Sequence, residues 1–213
     1  MVIKLFLRKG FRYRPIKGSR KVRREIRKSS LKKGNCRVKP EKVLFSESQI
    51  HKRVEEIAAE IEYDFAKRHL AIVALLEDSL VFMADLIRKI DVEMVCYFMK
   101  ADIEEDEQGV SCIKKIVYSP ELNIHEKDVL LIGGVLDTGI TLDFLTKHLL
   151  QGRPNLLKIC YLIDKPQSRK ISIKADYAGF VVNMPDPDYV VGYGLGYENK
   201  YRNLPYIGVL HAA

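Results

Sequence analysis

The sequence predicts an α/β fold, with a mostly parallel sheet flanked by helices. Continuous apolar runs at 70–76 and 129–132 are typical of strands that are buried on both faces, and 156–163 is predicted as a further strand. Between these runs lie segments whose apolar residues recur at helical spacing. Strands that alternate with helices favour parallel pairing, and ligands of such sheets bind beyond the carboxyl ends of the strands.

Residues 1–42 form a basic leader ahead of a domain that we place at residues 43–213. The leader holds 17 Lys and Arg residues against two Glu residues, so residues 43–213 carry a net charge of −7 within the total of +8. Because it has few aliphatic residues, we expect the leader to be disordered. Three interpretations remain open: a solvated tail or mis-set translation start, an organelle presequence, and a segment that binds an anionic partner such as RNA, DNA or lipid headgroups.

Cysteine spacing and the lengths of the apolar runs indicate the cellular compartment of the protein. The four cysteines show no Cys-x-x-Cys pairing, and Cys96 and Cys160 fall in apolar runs, which indicates buried thiols in a reducing compartment. No apolar run approaches the roughly 20 residues that a membrane-spanning helix needs. We therefore expect a cytoplasmic protein without a membrane span.

The elements of the domain follow in order from residue 46. Ser46 to Gln49 form a capping box, which predicts the start of a helix. Apolar residues then continue at helical spacing: Ile50, Val54, Ile57, Ile61 and Phe65. The remaining predicted helices are 79–90 and 141–150. The predicted strands are 70–76, 94–99, 113–118, 129–132, 156–163 and short segments near 177–182, 189–192 and 207–210. An acidic linker is predicted at 102–109.

The loop between the strand at 129–132 and the following helix carries chemistry of its own. It contains Asp137, Thr138, Gly139, Ile140 and Thr141, and so combines a glycine, two hydroxyls and several backbone N–H groups at a helix N-terminus. Such a loop can cradle a phosphate. An ordinary strand–turn–helix crossover uses similar residues, so the loop alone leaves both interpretations open.

Asp-Thr-Gly-x-Thr after a buried strand resembles the phosphoribosyl-pyrophosphate motif of type I phosphoribosyltransferases. Other segments resemble the hypoxanthine-guanine branch of that family, in the same order and spacing: 43–45, 79–86, 162–166, 174–180, 189–195 and 201–210. The resemblance implies a type I phosphoribosyltransferase fold with a small hood region and a homodimer or homotetramer. It also implies purine salvage, in which hypoxanthine or guanine displaces Mg²⁺-bound pyrophosphate from phosphoribosyl pyrophosphate.

The resemblance assigns a 5′-phosphate loop to the five residues Asp137, Thr138, Gly139, Ile140 and Thr141. Within it, Asp137 matches the catalytic aspartate that takes the proton from the purine N7. Lys165 matches the lysine that recognises the purine O6. Tyr189 matches the ring that stacks on the base, and Val190 matches the residue whose backbone contacts the base edge. Arg202 matches an arginine that contacts pyrophosphate.

Four departures from the family pattern lie on the side of the ribose hydroxyls, Mg²⁺ and pyrophosphate. Gly133-Gly134 replaces a Glu-Asp pair, and Glu77-Asp78 replaces Lys-Gly in a pyrophosphate-binding turn. Gly196 replaces an Asp that contributes to a second Mg²⁺, and the acidic segment 100–107 lacks the Ser-Tyr pair of the family's lid. No metal ligand is therefore assigned, because glycines occupy the family's positions.

The one-sided losses lead to a hypothesis about function. The chain is expected to be a hypoxanthine-guanine phosphoribosyltransferase homologue that binds GMP or IMP, with transferase activity weakened or lost. One alternative is a fully active purine phosphoribosyltransferase whose Mg²⁺ site is rebuilt from carboxylates at 104–106. The other is a nucleotide-sensing protein that binds RNA or DNA through its basic leader. Mg²⁺ is expected as a cofactor only if the enzyme is active.

Overall fold

The structure is a computed structural model that describes residues 40, 42–66, 68–105, 111–119, 121–184 and 188–211. For 101–105, 111–116, 118 and 119 the description covers the backbone alone. Apart from Pro40 and Lys42, the predicted leader lies outside the described residues, so its three interpretations stay predictions. No helix in the described ranges is long and apolar enough to cross a membrane.

The described chain alternates strands and helices. The helices are α1 (Glu47–Asp64), α2 (Leu80–Ile87) and α3 (Ile140–Gln151), with a short 3₁₀ turn at Pro166–Ser168. The strands are β1 (Lys42–Phe45), β2 (Leu70–Leu75), β3 (Met94–Glu105), β4 (Ser111–Ser119), β5 (Asp128–Leu136), β6 (Leu156–Asp164), β7 (Tyr177–Val181), β8 (Tyr189–Val191) and β9 (Ile207–Leu210).

The main sheet has the strand order β4-β3-β2-β5-β6-β7. Five of its strands run parallel, and β4 pairs antiparallel with β3 at one edge. A second, antiparallel sheet has the order β1-β9-β8. The α/β fold with a mostly parallel sheet is therefore confirmed.

The first helix begins as its sequence predicts. The backbone N–H of Ser46 donates to Gln49 Oε1 at 2.9 Å, and the N–H of Gln49 donates back to Ser46 Oγ at 3.4 Å. This reciprocal capping box satisfies two donors that the first helical turn leaves unpaired. The buried face of α1 then consists of Ile50, Val54, Ile57, Ala58 and Ile61.

Strand β5 lies at the centre of the sheet and contributes to both hydrophobic cores. Leu130 and Ile132 pack on the side covered by α1 and α2. Val129 and Leu131 pack on the side covered by α3. This alternation fixes the register of β5, because a slip of one residue would exchange the two faces. The loop that follows β5 is therefore held at the carboxyl edge of the sheet.

Three boundaries differ from the sequence prediction. Strand β5 continues four residues past Ile132, because Gly133 and Gly134 extend the ladder instead of ending it. Helix α2 ends at Ile87, although Ile90 is still buried beyond it. The backbone of 102–105, which we predicted as part of a linker, belongs to β3 and pairs with β4.

Candidate active site

The predicted phosphate cradle lies at the carboxyl end of β5. Gly139 adopts a φ of +86° and caps α3, a backbone conformation that glycine adopts without strain. A Cβ at this position would also lie only 2.8 Å from the Ile173 side chain. Thr138 Oγ1 accepts a 3.4 Å hydrogen bond from the Ile140 N–H, which sets the loop at the start of the helix. The helix dipole and the first-turn N–H groups favour an anion here.

Arg169 supports this loop and was not identified from the sequence. One of its terminal nitrogens donates to the Leu136 carbonyl at 2.8 Å and also to the Asp137 carbonyl, while the other pairs with Asp164. The side chain is only 13% exposed. An isolated arginine after Lys165 forms no pattern in the sequence, and only the folded backbone brings these acceptors around it.

The same strand-to-loop segment is also held by backbone contacts. The carbonyl of Thr138 accepts hydrogen bonds from the N–H groups of Lys170 at 2.9 Å and Ile171 at 3.3 Å. Together with the Arg169 side chain, these bonds satisfy three successive carbonyls, those of residues 136–138. The N–H groups of the cradle can therefore be presented to a ligand from a rigid support.

Lys165 and Asp137, predicted as purine-recognition and catalytic residues, lie side by side. Lys165 is 5% exposed, and its Nζ is 3.5 Å from Asp137 Oδ2. A buried ammonium group needs such a partner, because burying an unpaired charge is costly. The second carboxylate oxygen of Asp137 is buried and has no hydrogen-bond partner among the described residues. Lys165 therefore contacts the Asp137 carboxylate through one of its two oxygens.

The predicted purine platform is formed by β8 and the turn after it. Tyr189 is 41% exposed, and its ring centroid is 4.3 Å from that of Tyr197. Val190 is buried and pairs with Val209 in the small sheet. Nearby, burial and a 2.6 Å hydrogen bond to Asp85 raise the pKa of Tyr193 above its ordinary value. The protonated Tyr193 therefore links this turn to α2.

The predicted pyrophosphate side has a different arrangement. The Arg202 Nη1 donates to the Glu77 carbonyl at 2.8 Å, to Asp78 Oδ1 at 2.5 Å and to the Gly194 carbonyl at 2.8 Å. Glu77 has a φ of +85°, a strained value for a residue with a side chain. Arg202, which the resemblance assigned to pyrophosphate, is therefore engaged by acceptors of the chain itself.

Each of the three glycines that replace family carboxylates lies against a larger side chain. A Cβ on Gly133 would lie 2.8 Å from Tyr161 Oη and closer still to two carbons of that ring. A Cβ on Gly134 would lie 2.6 Å from the Asp78 Cβ. A Cβ on Gly196 would lie 2.8 Å from Arg202 Nε. Neighbouring side chains therefore fill the space that the missing carboxylates would need.

Tyr161 was not singled out in the sequence, although it is the register partner of Gly133 across β5 and β6. Its side chain is buried, which raises the pKa of the phenol above its ordinary value. A ring that covers the glycine of the neighbouring strand restores packing that glycine cannot supply. The paired positions could be found only once the register of the two strands was known.

The described residues of this side do not fit a magnesium site. Mg²⁺ requires several oxygen ligands in near-octahedral geometry. Three glycines supply no side-chain oxygen, and Asp78 is paired with Arg202. No group of three or more His, Cys, Asp or Glu side chains suited to a metal occurs in the part of the chain that is described. The side chains at 104–106, which we considered as substitute ligands, lie outside the description.

A cavity remains beside the turn that carries Asp78, with a volume of about 120 Å³. It is lined by Leu75, Leu76, Glu77, Asp78, Gly134, Val135 and Tyr161. Pockets for small ligands typically measure about 300–1,000 Å³, so this space is small for a ligand of that size. The geometry thus combines the predicted phosphate loop and the predicted purine platform with a neighbouring region that side chains fill.

Comparison with known proteins agrees with the fold. The phosphoribosyl transferase domain family matches residues 44–198. A hypoxanthine-guanine phosphoribosyltransferase of Bacillus subtilis is 40% identical over 173 residues, which cover 81% of this chain and 94% of the relative.

Solved structures give the same result. A hypoxanthine-guanine phosphoribosyltransferase from Bacillus anthracis, with a HEPES molecule in its active site, superposes with a TM-score of 0.71 at 38% identity, covering 81% of this chain and 99% of that one. A Trypanosoma cruzi hypoxanthine phosphoribosyltransferase complexed with the product IMP superposes with a TM-score of 0.71 at 29% identity, covering 81% and 85%. The chain therefore belongs to the phosphoribosyltransferase family and is a homologue of the hypoxanthine-guanine enzymes of purine salvage.

Proposed function

We propose that this chain binds purine nucleoside 5′-monophosphates, GMP or IMP, and that its phosphoribosyl transferase activity is strongly reduced or absent. The single observation that carries the proposal is the contrast between the two sides of the site. The loop at 137–141 is held in place and Lys165 lies 3.5 Å from Asp137, whereas Tyr161, Asp78 and Arg202 occupy the space beside the three glycines.

The retained side supports binding of the nucleotide. The loop at 137–141 offers N–H groups and the hydroxyls of Thr138 and Thr141 to a 5′-phosphate. The ammonium of Lys165 can donate to the O6 of hypoxanthine or guanine, whereas adenine presents an amino group that repels a donor. Tyr189 offers a partly exposed ring for stacking. The Trypanosoma cruzi relative, which is complexed with IMP, is consistent with this ligand class.

The altered side supports the loss of transfer. A carboxylate that accepts from a ribose hydroxyl contributes roughly 1.5–3 kcal/mol, and two glycines supply neither acceptor. Together these contacts correspond to about a 10²- to 10⁴-fold loss in kcat/KM for the pyrophosphate donor. Asp137 is proposed to keep its role as acceptor of the N7 proton, so the proposed defect lies in holding the donor and not in proton transfer.

A turnover assay tests the proposal directly. Purified protein is given Mg²⁺, phosphoribosyl pyrophosphate and either hypoxanthine or guanine, with the Bacillus subtilis relative run in parallel. We expect nucleotide formation at least about a hundredfold slower than that of the relative. Comparable turnover would reject the loss of activity and would favour a rebuilt magnesium site that uses side chains at 104–106.

A calorimetric titration tests nucleotide binding separately. We expect GMP and IMP to bind at least about tenfold more tightly than UMP, because Lys165 and Tyr189 contact the purine while all three share the 5′-phosphate. Equal affinity for GMP and UMP would contradict the purine pocket. A homodimer or homotetramer, a cytoplasmic location and an anionic partner for residues 1–42 remain predictions.

A further inference from the structure

We infer that Asp78 determines the ligand specificity of this site, because its ion pair with Arg202 closes the pyrophosphate side against ligands that carry a pyrophosphate. The inference deepens the proposed function and rests on it for the identity of the monophosphate ligand. It adds a mechanism of exclusion: the chain's own carboxylate takes the place that an anionic group of the ligand would occupy.

The contacts of the Arg202 guanidinium carry the first step. Its Nη1 has two N–H donors but faces three acceptors, on Glu77, Asp78 and Gly194. Two of these acceptors are backbone carbonyls that cannot leave without moving the chain. A phosphate oxygen can therefore reach this nitrogen only by displacing the Asp78 carboxylate.

The second step is steric. The Cβ position of Gly134 lies 2.6 Å from the Asp78 Cβ, and that of Gly196 lies 2.8 Å from Arg202 Nε. Any side chain at 134 would therefore collide with Asp78, and any side chain at 196 would collide with Arg202. The positions of Asp78 and Arg202 thus require glycine at 134 and 196. Asp78 is the residue that joins the turn at 76–78 to Gly134 and Arg202.

The third step is electrostatic. Asp78 pairs with Arg202, the described cation that contacts the backbone of this turn at Glu77. The Asp78 carboxylate also presents a negative charge to an incoming pyrophosphate. A nucleoside monophosphate places its phosphate in the cradle at 137–141 and carries no pyrophosphate group that has to reach Arg202. The ion pair therefore discriminates between the two ligand classes without weakening the cradle.

Binding of inorganic pyrophosphate and phosphoribosyl pyrophosphate, measured by calorimetry without Mg²⁺, tests the inference. We expect Asp78→Asn and Asp78→Gly each to raise the affinity for both ligands at least about tenfold. The affinity for GMP should stay within about twofold. The matched control Glu55→Gln removes the carboxylate of an exposed ion pair with Lys89 and should change none of these affinities.

Two further variants keep the inference falsifiable. Adding Arg202→Gln to Asp78→Asn should remove most of the gain, because the released guanidinium provides the larger part of it and the loss of the Asp78 charge provides the rest. In the wild-type background, Arg202→Gln should alter pyrophosphate affinity by less than about twofold, since Arg202 is already engaged.

Several outcomes overturn the inference. They are an unchanged pyrophosphate affinity in folded Asp78 variants, a gain that survives removal of Arg202 undiminished, and a tenfold loss on Arg202→Gln in the wild type. The last measurement needs no Asp78 variant, so it decides the question even if those variants do not fold. The pyrophosphate measurements do not involve the purine pocket, so a failure to bind GMP in preference to UMP would reject only the proposed function.

Discussion

The two halves of the site lie side by side at the carboxyl edge of the main sheet, and they differ in what their arginines contact. We call the residues 137–141, Lys165 and Arg169 the cradle half, and Asp78, Gly133, Gly134, Tyr161, Gly196 and Arg202 the filled half. In the cradle half, Arg169 donates hydrogen bonds to the carbonyls of Leu136 and Asp137 and leaves the N–H groups of the loop available. In the filled half, Arg202 makes contacts of the same kind but lies within the site, against Asp78.

The difference shows how the fold is kept where glycines replace the family's carboxylates. Each carboxylate missing from the filled half is matched by a neighbouring side chain that takes up the space, so the strand β5 stays buried and paired. Because protein interiors are closely packed, a glycine in a central strand is tolerated when a neighbour fills the gap. The replaced residues therefore form one packed unit and should respond to substitution together.

The largest effect is expected when the family's carboxylates are reinstalled alone. Gly133→Glu with Gly134→Asp should lower the free energy of unfolding by about 2–6 kcal/mol, because each new Cβ overlaps Tyr161 or Asp78. Urea denaturation gives the value. Adding Tyr161→Ser and Asp78→Gly should recover part of the loss, a coupling that a double-mutant cycle measures. If the variant with Gly133→Glu and Gly134→Asp were as stable as the wild type, neighbouring side chains would not fill the space beside these glycines.

The next largest effect is expected at Arg169 in the cradle half. Arg169→Ala leaves the partly buried Asp164 without its ion-pair partner and removes one hydrogen-bond donor from each of the carbonyls of residues 136 and 137. Breaking such a pair costs about 3–5 kcal/mol, and GMP affinity should fall with it. Arg88→Ala is the matched control, since the Arg88 side chain is 72% exposed and its ion pair with Asp85 should contribute no more than about 1 kcal/mol. Equal effects of the two variants would contradict a supporting role for Arg169.

A smaller effect concerns the choice of purine. Lys165→Ala should weaken GMP binding about 10- to 100-fold, the value of a charged hydrogen bond, and should leave AMP binding nearly unchanged. Lys89→Ala removes an exposed lysine of the same charge and should affect neither nucleotide. Parallel losses for GMP and AMP would mean that Lys165 supports Asp137 without reading the base.

The smallest effect is a pH dependence that belongs to the filled half. Burial raises the pKa of Tyr161 in the folded state, so its stabilising contribution is complete below the ordinary tyrosine pKa of about 10 and is lost as the pH rises further. The free energy of unfolding should therefore decline less steeply above about pH 10 in Tyr161→Phe than in the wild type. Identical slopes would indicate that the phenol is not buried against Gly133.

Much of the fold and part of the site could be predicted from local sequence. The buried runs gave β2, β5 and β6, and the Ser46 capping box gave the start of α1, because these signals depend on residues close in the chain. The phosphate loop was predicted in the same way. Its glycine, hydroxyls and helix N-terminus are all contained in 137–141.

The tertiary structure decided the contacts between distant residues. The covering of Gly133 by Tyr161 depends on the register of β5 against β6, and the pairing of Asp78 with Arg202 joins residues that are 124 positions apart. The sequence shows Gly133 and Asp78 as separate departures from the family pattern. It does not show which side chains pack against them, because packing depends on neighbours in space. By itself the sequence determined the family, the cradle and the missing carboxylates. Only the fold decided which side chains took their place.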